Sequence, residues 1–165
     1  MLLSFKVKNY RSFRDEAILD MEAASLKEYN ECLITFGKKS ILPAIAIYGK
    51  NGGGKSNIIR ALWFGVQFIK SAQRTQHEKA LVPVQPFELN DYSRSQPTVF
   101  EFNYLQDGIK YTYGFSAIKL KIVTEYLYHY PKGQKAMIFN RNEQEFIFPM
   151  DSSERRKYSQ RISAW

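Results

Sequence analysis

Residues 49–56 read Gly49-Lys50-Asn51-Gly52-Gly53-Gly54-Lys55-Ser56. The string fits G-x-x-x-x-G-K-[ST], the pattern of a phosphate-binding loop. Triphosphate oxygens must be met at short range by several backbone N–H groups. Side chains would block that approach, so glycine fills the loop. Lys55 brings a point charge to the β- and γ-phosphates, and Ser56 brings a hydroxyl for Mg²⁺. A helix opening at the end of the loop adds unpaired N–H donors and the positive end of its dipole. The expected chemistry is binding of a nucleoside triphosphate, ATP first, together with Mg²⁺.

The loop needs a strand leading in and a helix leading out. After Pro43, residues 44–48 are a short, apolar, partly β-branched run. The stretch 40–48 is expected to be a strand buried on both faces, as in a parallel α/β sheet. Beyond Lys55, the residues Ile58, Ile59, Leu62, Trp63, Val66 and Ile69 recur at spacings of three and four. That period predicts an amphipathic helix, with Trp63 assigned to the core. Near the N-terminus Leu3, Phe5 and Val7 alternate with Ser4, Lys6 and Lys8, the pattern of a strand with one buried face. Residues 17–21 are a second short strand expected to pair with the first. Residues 23–40 lack clear periodicity and are expected to form a loop or short helix.

The character changes after Lys79. Aromatic and β-branched runs at 98–105, 109–117, 122–130, 136–140 and 145–148 predict a mostly antiparallel sheet. Asp107-Gly108 is a strong hairpin signal, because both residue types tolerate positive φ. Turns are expected at 132–134 and 142–143. The many Tyr and Phe residues are assigned to one packed face, with a base-stacking surface as the lesser alternative. Residues 151–161 are polar and basic, the expected start of a helix. The chain is thus divided into a P-loop core over about 1–80, an antiparallel region over 81–150 and a following segment over 151–165, all within one lobe.

Of the 165 residues, 44% are hydrophobic and 15% aromatic, enough for a packed core and unlike a disordered or fibrous chain. The net charge of +8 fits an acidic partner, DNA or RNA first, and equally a plain lysine-rich surface, since the sequence has no dense Lys/Arg block. Cys32 is the one cysteine, so no intramolecular disulfide forms and no Cys-based metal site is expected. His77 and His129 lack metal-ligand spacing. No apolar run is long enough to span a bilayer, and the N-terminus has no signal-peptide core. A cytoplasmic protein with no membrane partner is expected.

The order of these parts resembles one branch of P-loop proteins. A first strand, then Asn9-Tyr10-Arg11-Ser12-Phe13, a second strand and Tyr-Gly-Lys-Asn-Gly-Gly-Gly-Lys-Ser-Asn resembles the head domain of SMC/RecF/OLD-type ATPases. These are ABC-type ATPases of DNA repair, chromosome organisation and phage defence. The Asn51 and Asn57 flanks belong to that type of loop. Pro86-Phe87-Glu88-Leu89, residues 97–102, Tyr111-Thr112-Tyr113-Gly114-Phe115 and Glu125-Tyr126-Leu127 are similar to stand-alone bacterial AAA/ABC-like ATP-binding proteins. Several of those are tied to anti-phage, abortive-infection or retron systems.

The resemblance implies an α/β fold: a P-loop NTPase lobe of the ABC-ATPase head type, with a sizeable antiparallel β region. It implies that Arg11 and Ser12 reach the phosphates beside the loop, against the alternative of a solvated turn. It implies a glutamine that senses Mg²⁺ and the γ-phosphate. Gln85 is the candidate by position, with Gln67 and Gln73 left open. Hydrolysis in that family also uses an apolar strand ending in Asp-Glu and a Leu-Ser-x-Gly signature; no apolar run of this sequence ends in Asp-Glu, and no Leu-Ser-x-Gly string occurs. The expectation is therefore the N-terminal part of a longer ATPase, binding ATP but turning over little by itself. It would work as a homodimer or with a complementing ATPase half, coupled to an effector protein. A P-loop GTPase or kinase and a non-enzymatic nucleic-acid-binding module are the alternatives.

Overall fold

Along the first strand, β1 (Leu2–Lys8), Phe5 and Val7 join the main buried cluster. A register shift between Leu2 and Ser4 puts Leu3 in a second cluster with Ile41 and Leu105, so the strand buries side chains in two clusters rather than on one face. The computed structural model describes residues 1–24, 30–37, 39–72, 83–119 and 121–149. The expected helix at 151–161, together with Gln73 and His77, lies outside the described residues. β1 pairs antiparallel with β2 (Ala17–Asp20), as the sequence predicts, and on its other side with β5 (Thr98–Gln106). From β5 the chain runs back and forth through β6 (Ile109–Ile118), β7 (Lys121–His129), β8 (Ala136–Asn142) and β9 (Glu145–Ile147). The result is a seven-stranded sheet in the order β2-β1-β5-β6-β7-β8-β9, antiparallel at every pairing. The β5–β6 hairpin turns on Asp107 and Gly108 at φ 51° and 74°, the two left-handed positions of its two-residue loop.

The register aligns apolar side chains across three strands of one face. Phe5 stands opposite Phe102, Val7 opposite Phe100, and Phe100 opposite Phe115. Helix α1 (Lys55–Ala72) covers this face with Ile58 and Ala61, both buried, and with Leu62 and Ile69 packed against them. Gly65 lies where the helix comes closest to the sheet. A Cβ there would sit 2.6 Å from Phe102 Cζ. Phe64 and Phe68 flank that point, with ring centroids 5.4 Å from Phe100 and 4.8 Å from Phe115. Each fully buried Phe of this kind contributes about 2–3 kcal/mol by removal from water.

Three expectations are corrected here. The stretch 40–48 is not a doubly buried strand. Only its start belongs to β4 (Lys39–Ile41), which pairs with β3 (Ile34–Phe36) in a separate two-stranded ribbon. Residues 42–50 form no strand, and Ile45 and Ile47 are 36% and 37% exposed. A strand exists through its neighbours' hydrogen bonds, and both edges of β1 are already taken by β2 and β5. Trp63 is not core: it is 65% exposed, and Ile59 one turn earlier is 52% exposed. Spacings of three and four fit more than one stripe of this helix, and the sheet covers only the Ile58–Ala61–Gly65 side. The aromatics of the antiparallel region do not share one packed face. Phe100 and Phe115 face α1, whereas Tyr126 and Tyr128 stand opposite Gly114 and Thr112 on the other side.

Within 23–40, the described residues hold a 3-10 turn at Asn30–Cys32 and the β3–β4 ribbon, with Cys32 exposed. Leu42 N–H donates to Met21 C=O at 2.7 Å, which ties the end of β4 to the end of β2.

Candidate functional site

Lys55 opens α1, so the loop 49–54 is the connection into the helix N-terminus. Gly52 and Gly54 hold φ at 77° and 86°, a region that a side chain disfavours. The loop is closed on itself by Gly53 N–H donating to Lys50 C=O at 3.1 Å. Lys55 Nζ folds back over it, donating to the carbonyls of Gly49 and Lys50 at 2.7 and 2.8 Å. An ammonium has three N–H donors, so one remains for an anion at the loop. Ser56 is exposed in the first helical turn, and Asn51 is exposed at the tip of the loop.

The turn after β1 reaches this loop. Asn9 and Arg11 both adopt left-handed backbone, at φ 54° and 50°, so the chain doubles back at once. Tyr10 and Phe13 exchange two backbone hydrogen bonds at 2.8 Å. The turn thereby presents Ser12 to α1, and Asn57 Nδ2 donates to Ser12 Oγ at 2.8 Å. A Cβ on Gly54 would stand 3.2 Å from Ser12 Oγ and 3.4 Å from the Phe13 ring. The turn and the loop are therefore in van der Waals contact, and glycine at 54 permits it. Asn57 also accepts from Arg60 Nη1 at 3.4 Å.

Gln85 joins the same region through its backbone. Arg11 N–H donates to Gln85 C=O at 2.8 Å, while the residue itself is exposed. The segment carrying Gln85 is held by Asn9, which sequence reasoning treated only as part of a motif. Asn9 Nδ2 donates to the carbonyls of Ser93 and Gln96, both at 2.8 Å, and its Oδ1 accepts from Phe87 N–H at 3.1 Å. Thr98 Oγ1 closes the knot by donating to Asn9 C=O at 2.8 Å. The short helix α2 (Asp91–Ser95) lies inside this clamp, capped by Asn90. A signal was present in the sequence: an Asn directly after a strand is a residue that tolerates left-handed backbone and bonds its surroundings.

Arg11 Nε is buried and has no hydrogen-bond partner among the described residues. Its guanidinium stands 5.8 Å from the Tyr10 ring centroid. A buried donor of a charged group without a partner is costly, and an anionic ligand would relieve it. Loop N–H groups at a helix start and the Lys55 ammonium form a donor set that fits a phosphate group.

A family model described as AAA domain, putative AbiEii toxin, Type IV TA system matches residues 44–163, most of the chain. The chain belongs to this family. It is an AAA-type P-loop domain, a nucleotide-binding class, built here on a mainly antiparallel sheet. Comparison with curated proteins gives no match. The matched range begins after β1, β2 and the 9–13 turn, so the tie between that turn and the loop rests on geometry alone. Among the described residues, no helix is long and apolar enough to cross a membrane.

Proposed function

We propose that this chain binds ATP and Mg²⁺ as the nucleotide-binding lobe of an SMC/RecF/OLD-type, ABC-like ATPase. Gly49, Asn51, Gly52, Gly53 and Gly54 supply the loop, Lys55 meets the β- and γ-phosphates, and Ser56 ligates Mg²⁺. Arg11, Ser12 and Asn57 frame the phosphates from the side of the β1 turn. Gln85 lines the same end as the candidate Mg²⁺-sensing glutamine. The observation that carries this reading is the contact of Ser12 with both Gly54 and Asn57, which joins a turn ahead of the motif to the loop itself. A role in DNA maintenance or phage defence through an effector protein rests on the resemblance, and the family description points the same way for defence.

The test is ATP affinity by calorimetry, with Mg²⁺, for the wild-type chain and Lys55→Ala. The expected result is a loss of about 2–3 kcal/mol, roughly 30- to 150-fold, on removal of a charged hydrogen-bond donor. Equal affinity in the two proteins would overturn the assignment. Strong preference for GTP in competition would favour the GTPase reading.

A further inference from the structure

The sheet face turned away from α1 carries a groove of about 960 Å³. Tyr126 and Tyr128 lie on β7, and Tyr130 follows directly, at every second residue. All three line the groove, about 7 Å apart at the rise of an extended strand. Tyr126 is fixed. Its ring lies over Gly114, where a Cβ would come within 2.2 Å of Cζ, and its hydroxyl donates to Glu101 Oε2 at 2.6 Å. Tyr128 and Tyr130 carry lysines instead. Lys135 Nζ stands 3.9 Å from the Tyr128 ring centroid, and Lys110 Nζ stands 4.6 Å from that of Tyr130. Lys132, at φ 55° in the turn that follows, is a third cation at this end.

Carboxylates of the groove are already engaged: Glu101 on β5 accepts from Tyr126 and pairs with Lys6 at 3.4 Å, and Glu22 pairs with Lys39 at 2.5 Å. None of Lys110, Lys132 and Lys135 meets a carboxylate among the described residues. Around Tyr128 and Tyr130 the described residues thus form a cationic strip with no paired carboxylate and with rings at regular spacing.

We propose that this groove binds single-stranded nucleic acid, with bases stacked on Tyr128 and Tyr130 and phosphates held by Lys110, Lys132 and Lys135. A single strand offers both chemistries at once, π-faces and a regular polyanion. An acidic peptide would use the lysines but bring no π-face to stack on the rings. A duplex keeps its bases stacked inside. A second copy docked face to face would bring the same three cations against themselves.

The test is fluorescence anisotropy with labelled oligothymidine and oligouridine of about 12 nucleotides, at about 50 mM salt and without ATP. ATP is omitted, and Lys55→Ala is run alongside so that oligonucleotide capture by the empty phosphate loop is told apart from binding in the groove. Both groove variants are first checked for native circular dichroism. The wild-type chain is expected to bind a single strand more tightly than a duplex of the same length. Lys110→Gln/Lys132→Gln/Lys135→Gln should lower the slope of log affinity against log salt by about 2, from three lost phosphate contacts. Tyr128→Leu/Tyr130→Leu should weaken binding about tenfold or more at an unchanged slope. The proposal is overturned by no binding at low salt, by affinity that both folded variants retain, or by preference for the duplex. Self-association that the lysine variant abolishes, with no oligonucleotide bound, would give the face to a second copy and equally overturn it.

Discussion

Asn57 Nδ2 donates to Ser12 Oγ at 2.8 Å, joining the helix that carries the phosphate loop to a turn 45 positions earlier in the chain. The bond fixes the first helical turn against the end of β1, a strand in the interior of the large sheet. The loop is therefore anchored at its far side by the sheet, even though the segment entering it, 42–50, belongs to no strand.

Ser12→Ala and Asn57→Ala should each weaken ATP binding about 2- to 10-fold, the range of one neutral hydrogen bond. The double variant should be no weaker than the poorer single variant, because the two changes remove the same contact. Calorimetry on the four proteins checks this, and strictly additive losses would show that the bond does not position the loop.

Gly65→Ala gives a test of sign. In a free helix, alanine is favoured over glycine by about 1 kcal/mol. Here the new methyl would sit 2.6 Å from Phe102 Cζ and 3.1 Å from its Cε2, inside a packed core. The expected outcome is destabilisation by about 1–3 kcal/mol in urea unfolding. A stabilised variant would mean that α1 can move off the sheet at no cost.

On the opposite face, Gly114→Ala should be among the most damaging single changes in the sheet, since Tyr126 Cζ and Oη lie 2.2 and 2.3 Å from the added carbon. Removing the obstacle should restore tolerance. In a Tyr126→Ala background the same substitution is expected to cost less than about 1 kcal/mol, and thermal unfolding of the two pairs measures the difference.

Glu101 provides a pH signature. Burial works to raise its pKa, but the Tyr126 hydroxyl, the Lys6 ammonium and the Asn103 amide together outweigh this and hold it below the usual value. A carboxylate lowered in the folded state contributes stability in full above its unfolded pKa of about 4.3. That contribution disappears as pH falls through the lower folded value. Glu101→Gln should therefore flatten the acid limb of the stability curve below about pH 4.3, and leave the protein about 1 kcal/mol less stable at neutral pH. Urea midpoints measured from pH 3 to pH 7 distinguish the two proteins, and identical acid limbs would remove Glu101 from this role.

The parts of this fold that were legible in sequence are those set by local pattern. Alternation at Leu3, Phe5 and Val7 marked β1, Asp107-Gly108 marked the hairpin, and the period after Lys55 marked α1. The misplaced parts depend on what each element meets. Residues 44–48 have strand composition, yet they pair with no strand among the described residues. Trp63 and Ile59 have core composition, yet the sheet covers only the other side of their helix. Tyr126 and Tyr113 read alike in sequence, yet strand parity sends them to opposite faces. The nearness of Ser12 to the phosphate loop was reachable only through resemblance, and its bond to Asn57 not at all, because the Asn9 clamp that shapes the turn joins residues far apart in the chain.

The place of β1 also governs the order of assembly. The ammonium of Met1 donates to Leu105 C=O at 2.7 Å, across 104 positions of sequence. At about 5–20 residues per second, the first strand waits roughly 5–20 s on the ribosome for the partner that completes its pairing. A shorter delay, about 2–9 s over the positions from Ala72 to Phe115, leaves α1 without the Phe100 and Phe115 surface that buries it. During that interval the nascent chain exposes a nearly finished phosphate loop on an unsupported helix, so chaperone dependence and translation speed become determinants of yield for this domain.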